Sequence, residues 1–449
     1  MTVHTSAPLA PSFWQALVYW FKLGCVSFGG PAGQIALMHE DLVVRKRWIS
    51  EKRYLHALNY CMVLPGPEAQ QLATYIGWLM HRTWGGVVAG GLFVLPSLFI
   101  LIGLSWIYMA YGDVPAVAGA LYGIKPAVTA IVLAAAIRIG SRALRNGILW
   151  GIAAAAFIAI FALDLPFPLI VLVAGLCGYA GARWAPEKFA VGGGHGASAQ
   201  GAGAAVIDDT TPTPPHALFT WRRFWCVTGV FGALWLAAIG ALVATYGWDS
   251  ALTQMAWFFT KAALLTFGGA YAVLPYVYQG AVDHFHWLTA AQMMDGLALG
   301  ETTPGPLIMV VAFVGFVGGW TQAIFGPDSL VLGAVVAATV VTFFTFLPSF
   351  FFIFLGGPFI ESTHGKLKFT APLTAITAAV VGVIVNLAVF FATHVLWPQG
   401  LGGRFDVVAA LIGLGAAAAL IRWKVGVIPV IFTSAAVGFV ATSLPAFLH

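Results

Sequence analysis

Thirteen apolar segments punctuate this chain, at roughly 13–38, 54–80, 84–111, 117–137, 147–163, 166–182 and 223–246, then at 252–277, 290–320, 329–356, 371–394, 404–421 and 425–447. Only short polar loops or one longer polar stretch separate them, so water cannot be the solvent for most of the molecule. With 60% hydrophobic and 8% charged residues and a mean hydropathy of +0.90, the chain lacks the polar surface to enclose its apolar side chains in a soluble globule. An all-α polytopic membrane protein in a lipid bilayer is expected, because a helix satisfies its own backbone groups in lipid. The net charge of +5 comes from basic residues clustered between apolar segments, where they orient the chain, and nucleic acid is not an expected partner. Cys25, Cys61, Cys177 and Cys226 have neither pairing nor zinc-like spacing.

The segments form two series on one plan. Lys22, Phe28, Gly29, Gly30, Trp48, Pro65, Gly66 and Pro67 recur as Lys261, Phe267, Gly268, Gly269, Trp287, Pro304, Gly305 and Pro306 at one shift of 239 (261 − 22 and 306 − 67). Leu95 to Ser97 returns as Leu347 to Ser349 at a shift of 252 (347 − 95), which places an insertion near Thr321 to Ser329. Duplication within a membrane chain points to secondary transporter architecture. The expected parts are a first repeat unit at 1–183, a flexible cytoplasmic linker at 184–221, a linking transmembrane helix at 222–247 and a second unit at 248–449. The linker is read from its wealth of Gly, Ala, Ser, Thr and Pro.

Charge sets the expected orientation. The loop at 45–53 holds Arg45, Lys46, Arg47, Lys52 and Arg53, and its copy from His284 to Gln292 holds no Lys or Arg. By the positive-inside rule the two loops face opposite sides, which makes the units an inverted repeat with the linking helix supplying the odd crossing. The N-terminus is then cytoplasmic and the C-terminus external.

Each unit is expected to hold two broken, re-entrant helical segments ahead of its spanning helices. VSFGGPAG (26–33) and LTFGGAYA (265–272) interrupt apolar runs, as do the Pro-Gly-Pro turns at 65–67 and 304–306. Half of such a run is too short to cross a core that takes about 20 residues. Backbone freed there is tolerated only where protein buries it or where it lines a watery cavity. Glycine lets the chain turn, and Pro31 and Pro67 suit the first turn of a new helix.

A helix that starts inside the membrane aims free N–H groups at the break and favours an anion. Lys22 and Lys261 each stand seven residues before a Gly-Gly pair (29 − 22 and 268 − 261), where an ammonium is costly and usually functional. Ser27 and Thr266 add hydroxyl donors beside the glycines. Glu68 and Glu301 flank the Pro-Gly-Pro turns, and a carboxylate near an anion is repulsive unless protonated, so both are candidates for a coupling proton. His56 and Asn59 are further polar candidates. The plainer readings are lysines that snorkel to an interface and glycines that only permit close packing.

The run from Phe21 to Gly77, followed by GVVAGGLFVLPSLFILIGLSWIY, resembles the N-terminal signature of the chromate ion transporter family in its long form with two homologous halves. FGGP, the basic loop ending in Trp48 and the PGPEAQQ run occur together in order; the likeness is strong over 13–137 and looser over 253–380. It implies chromate export across the bacterial inner membrane, with sulfate as the structural mimic of the substrate. Carried over, it makes Lys22, Ser27, Gly29, Gly30, Pro31, Gln34, Pro65, Gly66, Pro67, Glu68, Gln70 and Gln71 the site candidates. The second unit departs from the pattern, with Ala270 in place of the proline and ETTPGPLIM in place of MVLPGPEAQ; its candidates are Lys261, Thr266, Gly268, Gly269, Thr302, Thr303, Pro304, Gly305 and Pro306.

No Walker A loop, dinucleotide fingerprint or HExxH run is present, so neither an enzyme nor a cofactor is expected. The expected activity is secondary transport of chromate, driven by membrane potential and by proton antiport, that confers chromate resistance. A sulfate carrier of the same design is the alternative, and the sequence leaves a homodimer open.

Overall fold

Apolar runs bounded by Ser, Thr and Asn caps become helices, and Gly and Pro break them where the sequence says they should. In the computed structural model, residues 8–28, 30–112, 114–189, 205–209, 211–267, 269–363, 370–400 and 402–447 are described. The first series gives α1 (Phe13–Val26), α2 (Gly30–His39), α3 (Glu51–Cys61), α4 (Glu68–Tyr111), α5 (Pro115–Ala143), α6 (Gly147–Phe161), α7 (Phe167–Trp184) and the short α8 (Pro186–Phe189). After α9 (Trp221–Tyr246) come α10 (Ala251–Leu264), α11 (Ala270–Tyr278), α12 (Ala290–Thr302), α13 (Val310–Thr321), α14 (Leu330–Thr363), α15 (Thr370–Leu396), α16 (Val407–Ala417) and α17 (Val427–Phe447). Among the described residues the only strand-like pairing is an isolated bridge between Ile49 and Ile207. Among the described residues six helices (α4, α5, α7, α9, α14 and α15) are long and apolar enough to span a bilayer, and the chain is a polytopic membrane protein.

Local signals repeat with the sequence. Ser50 caps α3 and Thr289, at the shift of 239 (289 − 50), caps α12. Inside α4 the helix is interrupted at His81 (φ −128°, ψ 32°) and Arg82 (φ 57°, ψ −157°), and its two arms fold against each other. Small residues allow this: a Cβ on Gly77 would lie 2.5 Å from the Gly85 carbonyl oxygen, and one on Gly90 would lie 2.2 Å from Thr74 Oγ1. The second unit repeats the device, with Gly315 and Gly319 of α13 against Ala337 and Ala334 of α14.

The two units interlock. The long α5 packs on α15, α16 and α17, and α15 packs in turn on α6 and α7. In lipid, helices gain little from hydrophobicity and associate through close van der Waals packing, which small residues permit. Gly119 and Gly123 of α5 face Ser434, Gly438 and Thr442 of α17, and a Cβ on Gly123 would stand 1.9 Å from the Ser434 carbonyl oxygen. By contrast α9 buries only Ile239 and lies at the edge against α10 and α14.

The stretch read as one flexible linker is docked in its described C-terminal part, from 205 onward. Val206 and Ile207 N–H groups donate to the Arg47 and Trp48 carbonyls, Ser50 donates to Asp209, and Arg53 Nη2 donates to the Thr211 carbonyl at 2.5 Å. Arg53 Nη1 also pairs with Glu361 Oε2 at 2.8 Å, and Tyr75 donates to the other oxygen of Glu361, which is 4% exposed. Composition hid this, because the contacts use backbone groups and three apolar residues, Val206, Ile207 and Ala217, which pack into the core of the first unit.

Candidate functional site at the crossing of the breaks

The Pro-Gly-Pro turn of each unit is hydrogen-bonded to the Gly-Gly break of the other. Gly66 N–H donates to the Thr266 carbonyl at 2.8 Å, and Gly305 N–H donates to the Ser27 carbonyl at 2.9 Å. Both donors and both acceptors are related by the shift of 239 (305 − 66 and 266 − 27), so the contact is reciprocal. Gln34, one turn into α2, adds Nε2 bonds to the Ser27 carbonyl at 3.1 Å and the Gly305 carbonyl at 2.5 Å. Unpaired backbone at a break inside lipid costs several kcal/mol, and these bonds satisfy it.

A second reciprocal contact backs the first. A Cβ on Gly66 would stand 2.4 Å from Ser349 Oγ, and one on Gly305 would stand 2.8 Å from Ser97 Cβ. The two serines are themselves repeat equivalents (349 − 97 = 252). Positive φ at Gly66 (124°) and Gly305 (98°) is what only glycine adopts freely. Pro65, Gly66, Pro67, Pro304, Gly305 and Pro306 are all buried.

Several polar atoms at this crossing have no partner among the described residues. Gln34 Oε1, Gln70 Oε1, Gln71 Oε1, Ser97 Oγ and Ser349 Oγ are buried and make no hydrogen bond. The glutamine nitrogens are committed, Gln71 Nε2 to the Pro65 carbonyl at 2.8 Å and Gln70 Nε2 to Thr74 Oγ1 at 3.0 Å. Buried orphans of this kind call for a water, an ion or a substrate. Gly30 and Gly269, which open α2 and α11, have only open space where a Cβ would point. In α11 the Ala272 N–H turns back to the Gly269 carbonyl at 3.0 Å, and Pro31 of α2 has no N–H to offer. Hydroxyls and N–H groups donate while glutamine oxygens accept, so the set suits an oxyanion that keeps a proton or a layer of water.

Other candidates sit differently. Lys22 is exposed on the face of α1 that also exposes Val18, Phe21 and Val26, opposite buried Ala16, Trp20 and Leu23, so its charge lies off the crossing. Lys261 is half-buried, with its ammonium 5.7 Å from the centre of the Trp257 ring. The hydroxyls of Ser27 and Thr266 donate to the Leu23 and Ala262 carbonyls at 2.6 and 2.7 Å and are not free donors. Thr302 and Thr303 likewise donate to the Leu299 and Gly300 carbonyls. Pro31 and Glu68 are half-buried at the starts of α2 and α4, where a carboxylate suits the helix dipole. Glu301 accepts a hydrogen bond from Tyr271, within electrostatic reach of Arg138. His56 is half-buried near the Ile360 carbonyl, and Asn59 is exposed. Gly29 and Gly268 lie outside the described residues. Ser97, Ser349 and Tyr271 escaped the sequence reading, although the repeated Leu-Pro-Ser triplet marked two of them.

The chromate transporter family pattern matches residues 14–179 and 253–439, once in each half. The chain belongs to the chromate transporter family. A chromate transport protein of Cupriavidus metallidurans is 30% identical over 449 residues, covering 99% of this chain and 96% of the relative. One from Pseudomonas aeruginosa is 33% identical over 383 residues, 84% of this chain and 81% of the relative. A probable chromate transport protein of Synechococcus elongatus is 30% identical over 420 residues, 93% and 91% of the two chains. No solved structure matches the chain. Within this family member, the asymmetry of the crossing is notable: Val273, Met309 and Val310 occupy the second-unit positions of Gln34, Gln70 and Gln71 (273 − 34 = 239).

Proposed function

We propose that this transporter exports chromate across a bacterial inner membrane, with the crossing of the breaks as its substrate site. The observation that carries the reading is the reciprocal pairing of Gly66 with Thr266 and Gly305 with Ser27 in a chain of the chromate transporter family. It ties the two repeat units together at their helix starts, where donors for an oxyanion collect. Export follows the membrane potential, and antiported protons add to the drive, with Glu68 and Glu301 as the carboxylates of the breaks. Chromate counterflow in proteoliposomes, with sulfate as competitor, tests the substrate: unimpaired chromate exchange under excess sulfate supports chromate, and preferential sulfate exchange assigns the chain to the alternative.

Two further expectations belong to this reading. Gln34→Leu removes the side chain that bridges both breaks and is expected to lower counterflow at least tenfold, a loss of about 1.4 kcal/mol of transition-state stabilisation. Lys22→Ala is expected to leave counterflow within about twofold, since an exposed lysine on an apolar helix face snorkels. A tenfold loss in Lys22→Ala would bring that charge back into the transport path.

The units are proposed to be inverted, with the N-terminus cytoplasmic and the C-terminus external. Single cysteines placed at His284 and Lys46 should then react with an impermeant thiol reagent from outside at the first position only. Labelling of both from one side rules out the inversion.

A further inference from the structure

Away from the crossing, an ionisable cluster joins three helices. Asp295 of α12 is 2% exposed; its Oδ2 accepts a hydrogen bond from Tyr108 of α4 at 2.9 Å and lies 3.7 Å from Lys125 Nζ of α5. Its Oδ1 is buried with no hydrogen-bond partner among the described residues. Ser105, three residues before Tyr108 and on the same face of α4, is buried with its hydroxyl equally unpartnered. Lys125 stands ten residues into α5 (125 − 115), about 15 Å along the helix axis, which is near mid-membrane for a helix that starts at an interface.

Neither charge state of Asp295 is fully met by its surroundings. As a carboxylate it has one bare oxygen and a lysine beyond hydrogen-bond distance; as an acid it has a proton to give from Oδ1 but leaves the ammonium uncompensated. A group held between two half-satisfied states is suited to switching. The other elements packed on α12 do not settle the balance: α13, α17 and the turn Leu307–Met309 carry no ionisable side chain, and the single such group of α15, His394, is exposed and bonded to the Phe390 carbonyl. On α5, Arg138 acts on Glu301. Ionisable residues in membrane helices are costly and mark ion or proton paths.

The repeat supplies a second, independent sign. The position equivalent to Asp295 is His56 (295 − 239), and the position equivalent to Tyr108 is Ile360 (108 + 252). His56 Nε2 lies 3.4 Å from the Ile360 carbonyl, so each unit sets an ionisable side chain of its short helix against the same point of the other unit's long helix.

We propose that Asp295 is a proton-binding site that loads and unloads during transport, with Lys125 as its counter-charge and Tyr108 as its positioning partner. A proton from water on one side binds the carboxylate to give the acid and leaves to the other side, with no electron transfer. The inference rests on the transport reading above, and its test separates the two. In pH-difference infrared spectra of the purified full chain, a carboxylic acid C=O band that titrates is expected in wild type, lost in Asp295→Asn and retained at a shifted frequency in Asp295→Glu. In proteoliposomes, Asp295→Asn is expected to keep chromate counterflow while losing the acceleration that an imposed pH gradient gives wild type. An unchanged infrared band in Asp295→Asn, or an unchanged response to the pH gradient, overturns the proposal. Absence of counterflow in wild type counts against the chromate reading alone, because the infrared titration needs no substrate.

Discussion

Inside-out vesicles carrying this protein are expected to accumulate chromate when their interior is made positive, and to stop when an ionophore collapses the potential. The expectation is charge arithmetic. Moving one charge through ~100 mV is worth roughly 2.3 kcal/mol, so a dianion leaving a negative cell gains about 4.6 kcal/mol. At about 1.4 kcal/mol per factor of ten, that sustains a gradient on the order of 1,000-fold without any coupled ion. The polar set at the crossing adds a sharper reading of the same experiment. Glutamine oxygens left free to accept a hydrogen bond favour a protonated anion, and a monoanion gains only half the energy, for a limit of about 40-fold. The limiting gradient therefore reports which species moves. Uptake that ignores potential and requires protons to enter with the anion would make the protein an importer.

What the sequence made legible was punctuation. Phe-Gly-Gly and Pro-Gly-Pro separate α1 from α2, α3 from α4, α10 from α11 and α12 from α13, because φ above zero and a missing N–H oppose a continuous helix, whereas Gly85-Gly86, Gly318-Gly319 and Gly356-Gly357 stay helical inside α4, α13 and α14. Faces were harder to read. In a soluble helix a polar stripe marks the outside, but lipid and protein interior are both apolar, so nothing in FWQALVYWFKLGCV showed that the face Lys22 shares with Val18 and Val26 looks away from the protein. Partners were harder still. A repeat states that two halves are alike without stating which turns touch, so the pairing of Gly66 with Thr266 and of Gly305 with Ser27 needed coordinates. Ser97, Ser349, Lys125 and Asp295 lie in or beside apolar runs far from the break motifs, and their meaning comes from what they face.

Substitutions at the four described break glycines are expected to separate the crossing's two roles. Gly66→Ala and Gly305→Ala put a Cβ at φ 124° and φ 98°, within 2.4 Å of Ser349 Oγ and 2.8 Å of Ser97 Cβ. Backbone strain of roughly 1–3 kcal/mol adds to overpacking of roughly 1–3 kcal/mol, and the rigid proline neighbours leave little room to relax. Both variants should therefore lower the thermal midpoint in detergent strongly and by similar amounts, since the contact is reciprocal. Gly30→Leu and Gly269→Leu meet open space at φ 72° and φ 97°, so only the strain remains, on the order of 1–2 kcal/mol. These two should stay folded, with a small shift in midpoint, and yet lose chromate counterflow by tenfold or more, because the added side chain fills the open space at the starts of α2 and α11. Wild-type counterflow in Gly30→Leu would place the anion path elsewhere. A stable Gly66→Ala beside an unstable Gly305→Ala would mean that one turn alone holds the units together, and the crossing would no longer be a joint of two equivalent halves.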